Sequence, residues 1–187
     1  GWVDYEWVTR LDQRVYDQRL LWFDLLPERD ERVVIVDVDE ESLKRFGRWP
    51  WHRDVVGRLA GELLERQQVA VLGFDVLFAE PDTSSGLKTL QKLAQGALRD
   101  QPGFVAQVQG LQPQLDFDSR FAKALDGRNA VLGYYFTSDR DGHTRGVLPA
   151  PVMDAAAMHG VGGVTVWTGY GANIAPLAQA APQAGFF

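Results

Sequence analysis

The sequence contains no cysteine, only three histidines and no run of lysine or arginine. The lack of cysteine excludes a disulfide framework and a thiolate metal site. His52, His143 and His159 lie far apart and do not have the spacing of metal ligands. The net charge of −6 disfavours contact with nucleic acids and with anionic membrane surfaces. We therefore expect no nucleic-acid partner.

Several catalytic motifs are also missing. The sequence has no Gly-x-Ser-x-Gly elbow, no P-loop and no Gly-x-Gly-x-x-Gly fingerprint. The glycine-rich residues 160–163 have no strand pattern before them and no clear helix after them, so they do not form a phosphate cradle. We expect no catalytic residue, no cofactor and no enzymatic activity in this chain.

No segment has the composition of a membrane span. Residues 155–187 contain no Asp, Glu, Lys or Arg, but glycine and proline interrupt them before any apolar run becomes long enough to cross a bilayer. A signal-peptide pattern is absent as well. Because the sequence starts and stops in mid-pattern, we expect it to be a segment of a longer chain.

Two β-branched apolar runs, at residues 33–38 and 69–74, are the clearest structural signals. A helical pattern at residues 53–67 lies between them, which is the sequence form of a β-α-β unit. Neither run alternates cleanly, as is typical of parallel strands that are buried on both faces. With a third strand at residues 130–136, the sequence predicts a single α/β domain over residues 1–187. We expect three layers and a mainly parallel central sheet.

The helical patterns add local predictions. Residues 4–23 predict a long N-terminal helix within a connector at residues 1–27, and this helix either packs on its own domain or meets its copy in a dimer. Further helices are predicted from Leu87, from Pro102 and after Asp118, which we expect to be a cap. Asp39 or Glu40 is expected to cap a short helix that ends at a left-handed glycine, residue 47. Residues 161–167 predict a short strand, and residues 174–181 predict a short helix.

Three motifs carry a family resemblance: residues 35–43 (IVDVDEESL), residues 47–53 (GRWPWHR) and residues 74–82 (FDVLFAEPD). The second motif is the most specific, because two tryptophans around one proline rarely occur by chance. The sequence resembles the CHASE type 2 domain, an extracytoplasmic sensor module of bacterial transmembrane receptors. Compared with the shortest members of that family, residues 83–115 look like a helical insertion.

This resemblance implies a place and a role for the chain. The domain is expected on the extracytoplasmic face of the cell membrane, where it passes ligand or environmental state to a cytoplasmic output domain. Outputs in the resembled family are adenylate or guanylate cyclases, histidine kinases and serine/threonine kinases. The expected partners are an unknown small ligand or ion, the flanking transmembrane helices, the output domain and a second copy of the chain in a homodimer.

Carboxylates follow both predicted strands of the β-α-β unit. Asp37 and Asp39 end the first run and point to the same side, Asp75 ends the second, and Glu80 and Asp82 lie in the loop after it. In open α/β sheets, ligands bind outside the carboxyl ends of the strands. These acids could form an ion network with arginines, or they could hold a divalent cation or a cationic ligand. The candidate ligand-binding residues are Asp37, Asp39, Arg48, Trp49, Trp51, Arg53, Asp75 and Glu80.

Two alternatives apply to the tryptophans and to the function. Trp49 and Trp51 are expected to pack over the end of the sheet, and the alternative is a wall on which a ligand stacks. Besides the sensory role, the acids allow a metal-dependent hydrolase that uses Asp37, Asp39 and Asp75. A dimerisation module that senses nothing is the remaining alternative.

Overall fold

A computed structural model describes residues 32–138, 141–153, 157, 163 and 165–187. The chain forms two compact units, Gly1–Arg45 and Phe46–Phe187. The predicted N-terminal helix at residues 4–23 and the connector at residues 1–27 lie outside the described residues. Among the described helices, none has both the length and the hydrophobicity that crossing a bilayer requires.

The first apolar run does not form the predicted strand. Residues 33–39 have neither helical nor strand structure, and Val33, Val34 and Ile35 are 71%, 77% and 88% exposed. A strand exists only where a second strand satisfies its N–H and C=O groups, and β-branched composition alone does not supply such a partner. The predicted β-α-β unit is therefore wrong in its first strand.

A short helix, α1 (Glu40–Phe46), follows this run. The Asp39 carboxylate accepts a hydrogen bond of 2.8 Å from the Ser42 N–H, as expected for an N-cap residue. At the other end, Gly47 has a φ of +92°, which is the left-handed conformation that glycine adopts most easily. Both predictions for this helix are confirmed, with Asp39 as the cap.

The second unit contains most of the predicted helices. Helix α2 (Arg53–Gly61) continues as a π-helical stretch (Glu62–Arg66), and α3 (Leu87–Gln95) and α4 (Pro102–Leu115) begin where predicted. The short helix α6 (Ala175–Ala180) also forms as predicted. In α5 (Phe117–Leu125), however, the cap is Asp116, whose carboxylate accepts 3.0 Å from the Ser119 N–H. Asp118 lies one residue inside the helix, so the prediction that it is the cap is wrong.

The described strands form one mixed five-stranded sheet. It contains β1 (Leu72–Phe74), β2 (Ala130–Thr137), β3 (Thr144–Arg145), β4 (Gly169–Gly171) and β5 (Gln183–Phe186). The long strand β2 pairs parallel with β1 and β5 and antiparallel with β4, which in turn pairs parallel with β3. The α/β class is confirmed, but a mainly parallel sheet is not.

The predicted strand at residues 161–167 is wrong for its described members, residues 163 and 165–167, which are not in a strand. Strand β4 forms after them instead, at two glycines that allow a close approach. A Cβ on Gly169 would lie 2.5 Å from the His143 carbonyl oxygen, and a Cβ on Gly171 would lie 2.5 Å from the Tyr135 ring. The backbone therefore pairs where side chains are absent.

One face of the sheet is covered by helices. Phe74 on this face contacts Phe78, which follows β1, and Phe121, which lies in α5. The three rings form a triangle with centroids 5.1–5.8 Å apart. Helices α2 and α5 pack closely because Gly57 has no side chain, and a Cβ there would lie 3.1 Å from the Phe121 Cα. On the opposite face, Val71, Gly73 and Tyr135 are exposed, so no described helix covers these three residues.

Candidate functional site

Residues 78–82, which we call the strap, follow β1 after a gap of three residues and contact α2, α5 and residues 173–174. At its start, the Phe78 N–H donates to Asn173 Oδ1 (3.0 Å), and the Phe78 carbonyl accepts from the Ile174 N–H (2.9 Å). The buried Asn173 also donates from Nδ2 to the Gly133 carbonyl in β2 (2.9 Å). The start of the strap is thus fixed to β2 and to the residue that precedes α6.

The end of the strap joins two helices through Asp82. The Asp82 carboxylate accepts 2.7 Å from the Arg53 N–H and 2.8 Å from the Ser84 N–H. Because His52 provides no side-chain cap, Asp82 supplies from a distant segment the acceptor that the first turn of α2 needs. The Asp82 N–H donates to Asp118 Oδ2 in α5 (2.9 Å), so Asp82 bridges the N-terminal ends of α2 and α5.

The Arg53 guanidinium is enclosed by the strap. Its central carbon lies 4.6 Å from the Phe78 ring centroid, and Nη2 donates to the Glu80 carbonyl (3.3 Å). Its Nε lies 3.8 Å from Asp118 Oδ1, which is an ion pair but is too long for a hydrogen bond. The two side chains are only 12% and 13% exposed, and within the described residues neither of these two atoms has a hydrogen-bond partner.

The pKa values of the two aspartates beside Arg53 are shifted in opposite directions. Burial raises the pKa of Asp118, and the Asp82 N–H and the Arg53 charge offset this only in part. Burial also acts to raise the pKa of Asp82, but hydrogen bonds from Ser84 and Arg53 outweigh it, so the net shift is downward. Burial lowers the pKa of Arg53, against the attraction of both carboxylates. The environment of Asp82 therefore favours its ionised form, whereas burial makes the ionised form of Asp118 less favourable.

The two tryptophans differ in burial. Trp51 is 8% exposed and donates from Nε1 to the Gly47 carbonyl (2.9 Å). Trp49 is 39% exposed, and its ring meets the Trp51 ring edge to face at 5.7 Å. The Phe46 ring also packs against the Trp51 ring, and the centroids of these two rings are 5.3 Å apart. Trp51 is thus a packing residue, and Trp49 keeps a free ring surface.

A model of the CHASE2 domain matches residues 2–186, nearly the whole chain. The chain belongs to the CHASE2 domain family. CHASE2 domains are sensory, non-catalytic, extracytoplasmic parts of membrane receptors. Comparison of the chain with curated proteins and with solved structures gives no match.

We call the contacts among the strap, Arg53, Asp118 and Asn173 the network of this CHASE2 domain. Two of the candidate residues contribute to it. Arg53 is its centre, and Glu80 contributes its carbonyl to Arg53 and its carboxylate to an exposed ion pair with Arg145. Asp75 and Arg48 are exposed, and the hydrogen bonds and ion pairs described for the network do not include them.

Two of the acids expected at the strand ends, Asp37 and Asp39, have different local settings. Asp37 is exposed in the first unit, and Asp39 acts as the cap of α1, where hydrogen bonds from Ser42 lower its pKa. No three His, Asp or Glu side chains within the described ranges gather closely enough to hold a metal ion. Asp39 follows a segment that is not a strand, so the strand-end position assumed for this acid is absent.

Two residues of the network, Asp118 and Asn173, are not among the acids or candidate residues expected from the sequence, and Asp82 is expected as one of the acids but not as a ligand-binding candidate. Asp118 was misassigned as a cap because Asp116 and Asp118 both precede the apolar pattern of α5. Asn173 does carry a sequence signal, since it is a polar residue in an uncharged apolar segment and is buried with its amide satisfied. That signal indicates a structural role but does not name its partners.

Proposed function

We propose that this CHASE2 domain is the extracytoplasmic sensory part of a transmembrane receptor and passes ligand or environmental state to a cytoplasmic output domain such as an adenylate cyclase or a kinase. Family membership supports the sensory role. The observation that carries the mechanism is the strap, because one short segment holds the start of α2, the start of α5 and the residue before α6.

A strap held in this way couples its contacts to one another. Displacing Arg53 would remove its bond to the Glu80 carbonyl and its contact with Phe78, and the backbone of Phe78 is bonded to Asn173 and Ile174. A small ligand or ion that binds one arrangement of the strap more tightly would shift the population toward it. Because the arrangements of such an element differ by only a few kcal/mol, a modest difference in ligand affinity is enough to shift the population.

Delivery of the signal involves the remaining parts of the receptor. In this proposal, flanking transmembrane helices connect the domain to its output, and two copies act as a homodimer through the helix predicted at residues 4–23. Two-fold symmetry is the common arrangement for such assemblies. A dimerisation module that senses nothing predicts the same assembly but no effect of changes in the strap.

The test replaces Arg53 by lysine in the full-length receptor. Lysine keeps the charge but loses the planar guanidinium that contacts Phe78, Glu80 and Asp118. We expect the output activity, measured in membranes, to change its basal level or its response. Arg48→Lys is the matched control, since Arg48 is exposed and outside the network. Equal output from the parent, the control and Arg53→Lys would favour the non-sensing dimerisation module.

A further inference from the structure

We propose that Asp118 takes up a proton when the medium becomes acidic, and that this protonation releases Arg53 and loosens the strap from α5. The meaning of this step for signalling rests on the proposed sensory function, which it deepens by naming the proton as a stimulus. An extracytoplasmic domain is exposed to the pH of its surroundings, so the stimulus has direct access.

The geometry around Asp118 leaves its negative charge poorly compensated. Its Oδ2 accepts one hydrogen bond, from the Asp82 N–H. Its Oδ1 is buried at 3.8 Å from Arg53 Nε, and no described residue donates a hydrogen bond to it. An ionised carboxylate offers about four acceptor sites, and burying it with few of them filled is costly. A proton on this carboxylate removes most of that cost.

The charged groups that face Asp118 come from three segments. Arg53 at the start of α2 attracts its negative charge, whereas Asp82 in the strap and Asp116 at the cap of α5 repel it. Burial adds to the repulsion, so the pKa of Asp118 is raised.

Two further charged or titratable groups lie around the neighbouring Phe117. The His52 ring is 6.4 Å from the Phe117 ring, and the Arg120 guanidinium lies 5.8 Å from the same ring. Arg120 donates to the Gln114 carbonyl (3.1 Å), and Arg53 is the cation whose attraction acts to lower the Asp118 pKa. Arg53 is therefore the principal cation that holds Asp118 in its ionised form.

Acidification affects the two aspartates in sequence, because Asp118 is protonated while Asp82 is still ionised. Asp82 then continues to accept from the Arg53 N–H and keeps α2 capped. Neutral Asp118 no longer attracts the guanidinium and is a weaker acceptor for the Asp82 N–H. Since an acid with a raised pKa binds its proton more tightly in the folded state, this step does not unfold the domain. The result is a local release of the strap.

The test is a pH titration of the isotope-labelled 187-residue chain by NMR, which follows the Asp82 amide and the Arg53 side-chain N–H. We expect both signals to shift in one step whose midpoint lies above the ordinary Asp value of about 3.9. Protection of the Asp82 amide from hydrogen exchange should fall through the same step. Asp118→Asn should abolish the step, and Asp126→Asn, an exposed change at the end of α5, should preserve it.

Two results would overturn the inference: no step above the ordinary range in the parent, or an unchanged step in Asp118→Asn. If Asp118→Asn does not fold, Asp118→Glu serves instead, and its step must move to a different midpoint. The receptor separates the two proposals. If Arg53→Lys alters the output but no Asp118 step exists, the sensory function stands and proton uptake is wrong. If the step exists but the output responds to acid equally in the parent and in Asp118→Asn, the proton is not the stimulus.

Discussion

Residues 33–38 and residues 69–78 are both apolar and rich in β-branched side chains, but only the second run is paired and partly buried. In the second run, Leu72 donates from its N–H to the Asn129 carbonyl (2.9 Å), and β1 continues along β2. Phe78 then has both backbone groups bonded to residues 173–174 and a fully buried ring. The difference shows that bonding partners, and not composition, decide which run becomes part of the core.

Two acids that follow the runs, Asp39 and Asp82, differ in the same way. Asp39 bonds to Ser42, three residues away, and caps the helix that follows it directly. Asp82 bonds to the Arg53 N–H, 29 residues earlier in the chain, and to α5 through its own N–H. The first acid therefore stabilises local structure, and the second holds together elements that are distant in sequence.

The largest effect should come from removing the buried ring of the second run. Phe78→Ala leaves a cavity beside Phe74 and Phe121 and removes the surface on which Arg53 lies. We expect it to lower the free energy of unfolding by about 4 kcal/mol in urea titrations. Ile35→Ala, in the exposed first run, should change it by no more than about 0.5 kcal/mol. Similar losses from the two variants would mean that the runs are equally buried.

The next effect tests whether hydrogen-bonding partners fix the second run. Asn173→Ala leaves the Phe78 N–H and the Gly133 carbonyl buried without their present partner. We expect a loss of about 3 kcal/mol in the same urea titrations. Asn129→Ala is the matched control, because its side chain donates to the Ala70 carbonyl of the same run in an exposed position. That variant should lose about 1 kcal/mol, and equal losses would show that burial of the amide contributes little.

Much of the helical structure could be predicted because it depends on neighbouring residues. The apolar spacing of α2, the proline at the start of α4, the Asp39 cap and the glycine after α1 are local signals, and each is confirmed. The position of β1 in the chain was also predictable, because the strand lies within the apolar run at residues 69–74. What could not be predicted is its pairing with β2, in which each partner lies 58 residues later in the chain, from Leu72 and Ala130 onward.

The candidate site was predictable only in part for the same reason. Arg53 and Glu80 were found because they lie in the motifs that surround α2 and β1. Asp118 and Asn173 were missed because their roles depend on contacts with Arg53 and Phe78, which no local pattern specifies. The tryptophan pair was expected to pack, and burial separates it into Trp51, which does, and Trp49, whose ring is partly free.

The smallest effect compares the two acids that act as caps, Asp82 and Asp39. Asparagine still offers an acceptor for the helix N–H, so Asp82→Asn and Asp39→Asn remove charge more than they remove the cap. Asp82→Asn also removes the attraction to Arg53, so we expect the free energy of unfolding to fall by about 1 kcal/mol and Tm to be lower at pH 7. Asp39 is fully exposed, and Asp39→Asn should lower Tm less.

The pH dependence of this deficit follows from the direction of the shifts. Burial tends to raise the pKa of Asp82, yet its hydrogen bonds and Arg53 lower it overall, and hydrogen bonds from Ser42 lower the pKa of Asp39. An acid with a lowered pKa stabilises the folded state above the unfolded value of about 3.9 and loses that contribution as the pH falls through the folded value. The Tm difference between the parent and Asp82→Asn should therefore disappear in acid. Asp82→Asn also removes a charge that repels ionised Asp118, so it changes the Asp118 pKa, but in strong acid both aspartates are protonated and the difference still disappears. A deficit that persists in acid strong enough to protonate Asp82 in the folded state would show that Asp82 acts through geometry and not through its charge.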